Sequence, residues 1–442
     1  MTPKRRASLN LADTLLASKP ELNAMITGTV HAFGKKWRWI PGLCKHILQR
    51  TQENFHDYSR KELAEIIESH DTYNRAWLKG DESLRIARYA LEAPLAVPRP
   101  EWVPHDTPLL SSPKDLAEWL GLLPEELVWF SGSWRQDERA SSRLAHYAYR
   151  WVPKRSGGFR LIEMPKSRLR EIQRRLLHGL LERIPVHQAA HGFIRGRSCL
   201  THACLHQGKA AVIRMDLQDF FSSIPASRIH ALFTRLGYTP GVARLLTGIS
   251  THSTPWRELN ARENRARIPY AQRQRLHTPH LPQGAPTSPT LANLCAFRLD
   301  LRLDALATSL NAVYSRYADD LVFSGEKDFL ARAQRFHVLV AAIALEEGFS
   351  LNMRKTRIMG ASQRQKITGL VVNRFPNIPR KDYDQLKAVL HNCLFQGAAS
   401  QNLEGVADFR AHLMGRISHV AAINPHKGER LRELFAQIDW AI

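Results

Sequence analysis

A chain of 442 residues carries 63 Lys and Arg against 41 Asp and Glu, a formal charge of +22, and favours a polyanionic partner, because basic groups beside phosphates release condensed counterions. The length excludes a small stapled domain, and five scattered cysteines, Cys44, Cys199, Cys204, Cys295 and Cys393, fit reduced thiols. No apolar run reaches the ~18 residues of a spanning helix and no signal-peptide core follows MTPKRRASLN, so a cytoplasmic protein with no membrane partner is expected.

Residues 1 to about 93 read as mainly helical, with Leu63, Ile66, Ile67 and Tyr73 set among charged positions. Eight of the ten tryptophans lie in the first 151 residues, which argues for a folded N-terminal part rather than a basic tail. EAPLAVPRPEWVPHDTPLLSSP then gathers Pro94, Pro98, Pro100, Pro104, Pro108 and Pro113 into a linker, with a boundary near residue 107. Past it, Ser112 is placed to cap a helix that starts at Pro113. RLREIQRRLLHGLLERI repeats Leu169, Ile172, Leu176 and Leu180 at helical spacing amid arginines that include Arg174 and Arg175; their face is either solvated or turned to phosphate. CLTHACLH offers Cys199, His202, Cys204 and His206 and places His202 and His206 to share a helix face. Its spacing matches no standard zinc pattern, so ordinary helix or loop residues are the preferred reading.

AAVIRMDLQDFFSSI, residues 210–224, alternates like a strand and ends its apolar run at Asp216, with Val212 and Arg214 on the same face. AVYSRYA and LVFSG flank Asp319 and Asp320 as two short strands around a tight turn. Two stretches far apart in sequence are thereby able to bring three carboxylates together. A pair of aspartates alone often just fills a turn. Nucleotidyl transfer, however, uses two magnesium ions about 3.5–4 Å apart, and magnesium prefers hard carboxylate oxygens completed by substrate phosphates. Carboxylates this close repel one another unless cations neutralise them.

With DLQDFF, LPQGAPTSPTLANL and YADD in this order, the chain resembles the reverse transcriptases, specifically the bacterial retron type, over about residues 110 to 442. The resemblance implies an α+β right-hand polymerase of fingers, palm and thumb, with an antiparallel palm sheet and, here, a mainly helical N-terminal extension. Its implied divisions are 1–107 for that extension and linker, 108–365 for fingers and palm, and 366–442 for an RNA-binding thumb. It implies catalytic Asp216, Asp319 and Asp320, two Mg2+ ions held by these and the Leu217 carbonyl, and a nucleotide site of Lys154, Arg160, Phe221, Gln283, Gly284 and Lys355. A basic hairpin with Gly157 and Gly158 is also suited to close over phosphates. Phe221 reads as a steric gate against ribose, although Phe220 and Phe221 both suit a core and, as strand neighbours, would face opposite ways. Glycine at 284 permits close backbone approach. Lys355 reads either as the group that protonates pyrophosphate or as a solvated lysine.

HGFIRGRSCLTHACLH resembles the retron region that usually reads Asn-Ala-x-x-His, with His202 in place of the asparagine and His206 ending the motif. ITGLVVN resembles the family's Val-Thr-Gly element. RNA contact is expected at His206, Arg174 and Arg175. The stretch THSTPWRELNARENRARIPYAQRQRLHTPH lengthens the approach to Gln283 and reads as a solvated loop or an RNA contact. The implied partners are a cognate structured noncoding RNA, its DNA product, deoxynucleoside triphosphates and a retron effector protein. The implied activity makes a branched RNA–DNA hybrid in defence against phage. Another prokaryotic reverse transcriptase, group II intron-like or defence-associated, and a non-catalytic RNA-binding protein of polymerase fold are the alternatives.

Overall fold

A computed structural model describes residues 2–440 except 17, 19, 52–54, 56–57, 59, 79–99, 133–143, 155–156, 262–263 and 265–266. Pro94 and Pro98 of the expected linker lie outside the described residues. The chain forms two compact units, Met1–Val186 with Asp219–Cys295, and His187–Gln218 with Ala296–Ile442.

The first unit opens with helices at Pro3–Leu16, Leu22–Phe33, Ile40–Thr51, Arg60–Ser69 and Asp71–Leu78. Their apolar faces meet in one core that includes Leu11, Leu15, Met25, Leu43, Ile47, Leu63, Ile67 and Tyr73, so the expected helical, folded N-terminal part is present. Trp39 packs edge-on against both Phe33 and Tyr73, and the buried Tyr73 hydroxyl is 3.0 Å from the Ser8 hydroxyl. After the proline-rich stretch, Ser112 caps Pro113–Leu120 as expected. The reciprocal bonds of a capping box tie it to Asp115.

Strands β1 (Tyr147–Pro153) and β2 (Phe159–Pro165) pair antiparallel as a hairpin. Gly157 and Gly158 take the positive φ that its tight loop demands, and the Lys154 N–H donates to the Gly158 carbonyl at 2.9 Å. The arginine-rich helix spans Ser167–Gly179 and buries Leu169, Ile172 and Leu176. Across its described residues the stretch 251–280 is not a solvated loop. It forms helices at Trp256–Leu259 and Tyr270–His277, and Leu259, Ile268 and Leu276 share a core with Leu161, Tyr149 and Trp151 of the hairpin. Apolar residues spaced among its arginines are the reason.

The second unit is built on an antiparallel sheet of β3 (Ala211–Asp216), β4 (Val313–Tyr317), β5 (Asp320–Gly325) and β6 (Arg357–Gly360), in the order β4-β5-β3-β6. Helices Phe297–Thr308 and Lys327–Glu346 accompany it. Val212 of β3 and Val322 of β5 join a core with Leu386, Leu390, Leu413, Ile417, Leu431 and Phe435. These last come from the C-terminal helices Arg380–Gln396, Phe409–Ile423 and Pro425–Ala436. Among the described residues no helix is long and apolar enough to cross a membrane.

Candidate active site

β3 is a buried central strand whose alternation delivers Asp216 at its C-terminal end, and β5 begins at Asp320 directly across from it. The turn between β4 and β5 holds Ala318 at φ 57 and Asp319 beside it. A non-glycine residue adopts that conformation only when its surroundings hold it. Here they do: the wholly buried Arg316 donates from Nη1 to the Ala318 carbonyl at 3.0 Å while its Nε and Nη2 grip Asp300 at 2.8 and 2.6 Å. The Leu217 N–H donates to the Asp319 carbonyl at 2.8 Å, and the Asp216 carbonyl accepts from Asn352 N–H at 2.7 Å. Asp216, Leu217, Asp319 and Asp320 thus meet at one end of the sheet.

The charges there are strongly coupled. Burial, then the neighbouring Asp320 and Asp216, push the Asp319 carboxyl up to about 6. Burial also raises Asp320, against the pull of Arg214. Arg214, opposite Val322 and so on the same face as Asp320, reaches both its carboxylate oxygens, Nη2 lying 2.8 Å from Oδ1 and 2.7 Å from Oδ2. Lys355 Nζ lies 2.8 Å from Asp216 Oδ1. Lys355 is therefore an ion-paired member of the site rather than a merely solvated lysine.

Asp216, Asp319 and Asp320 carry hard oxygen donors of the kind a divalent metal takes. Among the described residues no group of three or more His, Cys, Asp or Glu side chains converges as a ready-made metal cage. Carboxylate oxygens are the donor type a divalent ion takes when waters and substrate phosphates complete its shell, while in this arrangement Arg214 and Lys355 pair with Asp320 and Asp216.

Lys154, Arg160, Phe221, Gln283 and Gly284 belong to the first unit. Arg160 is exposed on β2 and Lys154 half-buried at the end of the hairpin loop. Gln283 pairs with β2 through its carbonyl, which accepts from the Glu163 N–H at 2.9 Å. Gly284 has φ 138, and a Cβ there would stand 2.7 Å from the Glu163 carbonyl oxygen. The close approach that requires glycine is thus to β2 itself. Phe220 is buried and Phe221 half-buried, with their rings 5.5 Å apart. They stand in a turn past the end of β3 rather than on the strand, because Asp219 at φ 51 breaks the extended path.

His206 is corrected as an RNA contact: it is fully buried in the second unit. Its Nδ1 lies 2.7 Å from the Ser324 hydroxyl of β5 and its Nε2 lies 2.6 Å from the Ser315 hydroxyl of β4, so it ties together the two strands on either side of the turn that holds Asp319. It also lies past the end of the short helix Cys199–Cys204, not on one helix face with His202. Arg174 and Arg175 are both exposed, and Arg175 also donates to the Leu120 carbonyl at 2.9 Å. Sequence reading placed Arg214 on the face of Asp216 but missed its pairing with Asp320, and it missed the Arg316–Asp300 pair. Both arginines stood in plain sight inside RYADD and VIRMD, but nothing local reveals that Arg316 is buried or that Arg214 reaches across to Asp320.

An antiparallel hairpin presenting two aspartates, with a third across the sheet, is the layout of a nucleotidyl-transferring polymerase. The family described as reverse transcriptase (RNA-dependent DNA polymerase) matches residues 152–372. The retron Mx65 reverse transcriptase of Myxococcus xanthus is 39% identical over 329 residues, covering 73% of this chain and 71% of that protein. The retron Mx162 reverse transcriptase of the same organism is 37% identical, covering 68% of this chain and 63% of its own length. The retron Ec86 reverse transcriptase of Escherichia coli is 29% identical over 281 residues, covering 63% of this chain and 77% of that protein. The chain belongs to the bacterial retron-type reverse transcriptases. It is an RNA-directed DNA polymerase, and nucleic acid is its partner.

Proposed function

We propose that Asp216, Asp319, Asp320 and the Leu217 carbonyl hold two Mg2+ ions and that this centre extends DNA on the chain's own structured noncoding RNA. The carrying observation is the cross-strand pairing of Asp216 with Asp320, one residue from Asp319. Divalent metal bound there supplies activation of the attacking hydroxyl and neutralisation of the leaving pyrophosphate. The chain's own groups do the rest. Arg160 and Lys154 receive the triphosphate, Gln283 and Gly284 line the base and sugar, and Phe221 excludes the ribose 2′-hydroxyl by occupying its space. Arg214 fixes the Asp320 carboxylate, and Lys355 moves from its ion pair with Asp216 to protonate the departing pyrophosphate.

The product we assign is a branched RNA–DNA hybrid, started from the 2′-hydroxyl of a guanosine in the cognate RNA, with a role in antiphage defence beside an effector protein in the cytoplasm. The functional segments we assign are 1–107 as N-terminal extension, 108–365 as fingers and palm, and 366–442 as an RNA-binding thumb; each compact unit draws on more than one of them. Sequencing the nucleic acid that copurifies with the protein tests this reading. Debranching-sensitive RNA joined to DNA is expected. Linear RNA or DNA alone would refute the branched product.

A further inference from the structure

The stretch 251–280 is knitted into the first unit at both ends. His252 and His280 exchange backbone hydrogen bonds at 2.9 Å. The Ala226 N–H donates to the Pro279 carbonyl at 2.9 Å and the Leu281 N–H to the Ile224 carbonyl at 3.1 Å, which joins the stretch to the turn that follows Phe221. The buried Glu163 of β2 takes the Thr254 hydroxyl at 2.6 Å, lies 3.1 Å from His280 Nε2, and accepts the Gln283 N–H at 3.2 Å. Burial alone would drive Glu163 and His280 neutral, but their mutual attraction outweighs it and holds Glu163 down and His280 up. Arg267 lies over the rings of Trp151 and Phe159 at 5.6 and 5.0 Å.

Its most pointed contact is with Asp219. Arg275 Nη1 is 3.0 Å from one Asp219 carboxylate oxygen and Gln272 Nε2 is 3.0 Å from the other. Asp219 sits at φ 51, and its carbonyl accepts the Ser223 N–H at 2.9 Å across the turn that contains Phe221. A residue held in that conformation relaxes unless it is pinned, and its relaxation rotates the chain two residues on. The carboxylate is mostly buried while Arg275 is partly exposed, so the contact is worth little as a surface charge pair; its use is directional.

We propose that helix Tyr270–His277 is a brace for sugar selection, in which Arg275 and Gln272 fix Asp219 and thereby the ring of Phe221. Arg275 and Gln272 are positioning residues. The proposal rests on the reading of Phe221 as the sugar gate and adds to it what holds the gate in place.

The test compares single-nucleotide incorporation of a deoxynucleotide and the matching ribonucleotide on a primed RNA template, using the full chain and its Arg275→Met, Arg275→Lys, Gln272→Ala and Phe221→Val forms. Melting temperatures recorded in parallel identify any form that has not folded. The brace predicts that Arg275→Met lowers deoxy-over-ribo discrimination at least tenfold, with Arg275→Lys recovering part of it and Phe221→Val losing most. Wild-type discrimination in Arg275→Met and Gln272→Ala, with Phe221→Val impaired, overturns the brace and leaves the gate standing. Wild-type discrimination in Phe221→Val removes the gate and the brace together. Should Arg275→Met fail to fold, Gln272→Ala with Asp219→Asn decides by the same ratio.

Discussion

His206 spends its whole side chain on two serine hydroxyls. Burial, then His191 and Lys209, hold its ring down to about 3, so it stays neutral in the folded protein. Its ordinary unfolded value is near 6.5. The folded state therefore resists a proton that the unfolded chain accepts, and the stability His206 contributes is present above pH 6.5 and lost as pH falls from there towards 3. The destabilisation caused by His206→Ala should shrink by about 2 kcal/mol between pH 7 and pH 5, measured by thermal melts of both proteins. A pH-independent difference would mean that the ring takes up its proton at the same pH in the folded and unfolded states. At Gly284, φ 138 and the 2.7 Å approach of a Cβ to the Glu163 carbonyl both oppose a side chain. Gly284→Ala should cost roughly 1–3 kcal/mol and displace Gln283, read as a lower melting temperature with a higher KM for deoxynucleotide.

The hairpin β4–β5 depends on a charge that no solvent reaches. Arg316 and Asp300 are both fully buried, and the Tyr314 hydroxyl adds a hydrogen bond to Asp300 at 2.7 Å. Removing one partner leaves the other uncompensated, so Asp300→Leu should lose about 3–5 kcal/mol, measured by chemical denaturation. A loss below about 1 kcal/mol, typical of surface pairs, would show that the pair is not essential to the turn. The strands themselves were legible in the sequence: alternation over 210–216 and the apolar flanks of YADD gave β3, β4 and β5 and the meeting of their aspartates. Burial of charge was not. Nothing near Arg316 announces Asp300, because the partners are 16 residues apart and meet only after a helix and a strand have packed. The arginine-rich stretch 251–280 misled for a related reason. Its charge suggested solvent or RNA, whereas Leu259, Ile268 and Leu276 decided its place.

At the scale of the whole chain, +22 of formal charge sets the terms of nucleic-acid binding. Affinity should fall steeply with salt, by about 10³–10⁵ between 50 and 200 mM if some 6–10 phosphates are contacted. A titration of the purified protein with its copurified RNA at several salt concentrations measures this; a flat response would assign recognition to uncharged contacts. The N-terminal helices have their own core, and their burial of Tyr73 and Leu63 makes them a folded element rather than a charged tail.

The central claim is that the carboxylates at the β3 and β4–β5 ends perform polymerisation while the rest of the chain binds nucleic acid. Replacing Asp319 and Asp320 together by alanine and measuring both primer extension and RNA affinity tests it directly. Extension should fall by at least a thousandfold, a barrier increase of about 4 kcal/mol, with RNA affinity within a few-fold of wild type. Extension at the wild-type rate by the doubly substituted protein would contradict the account.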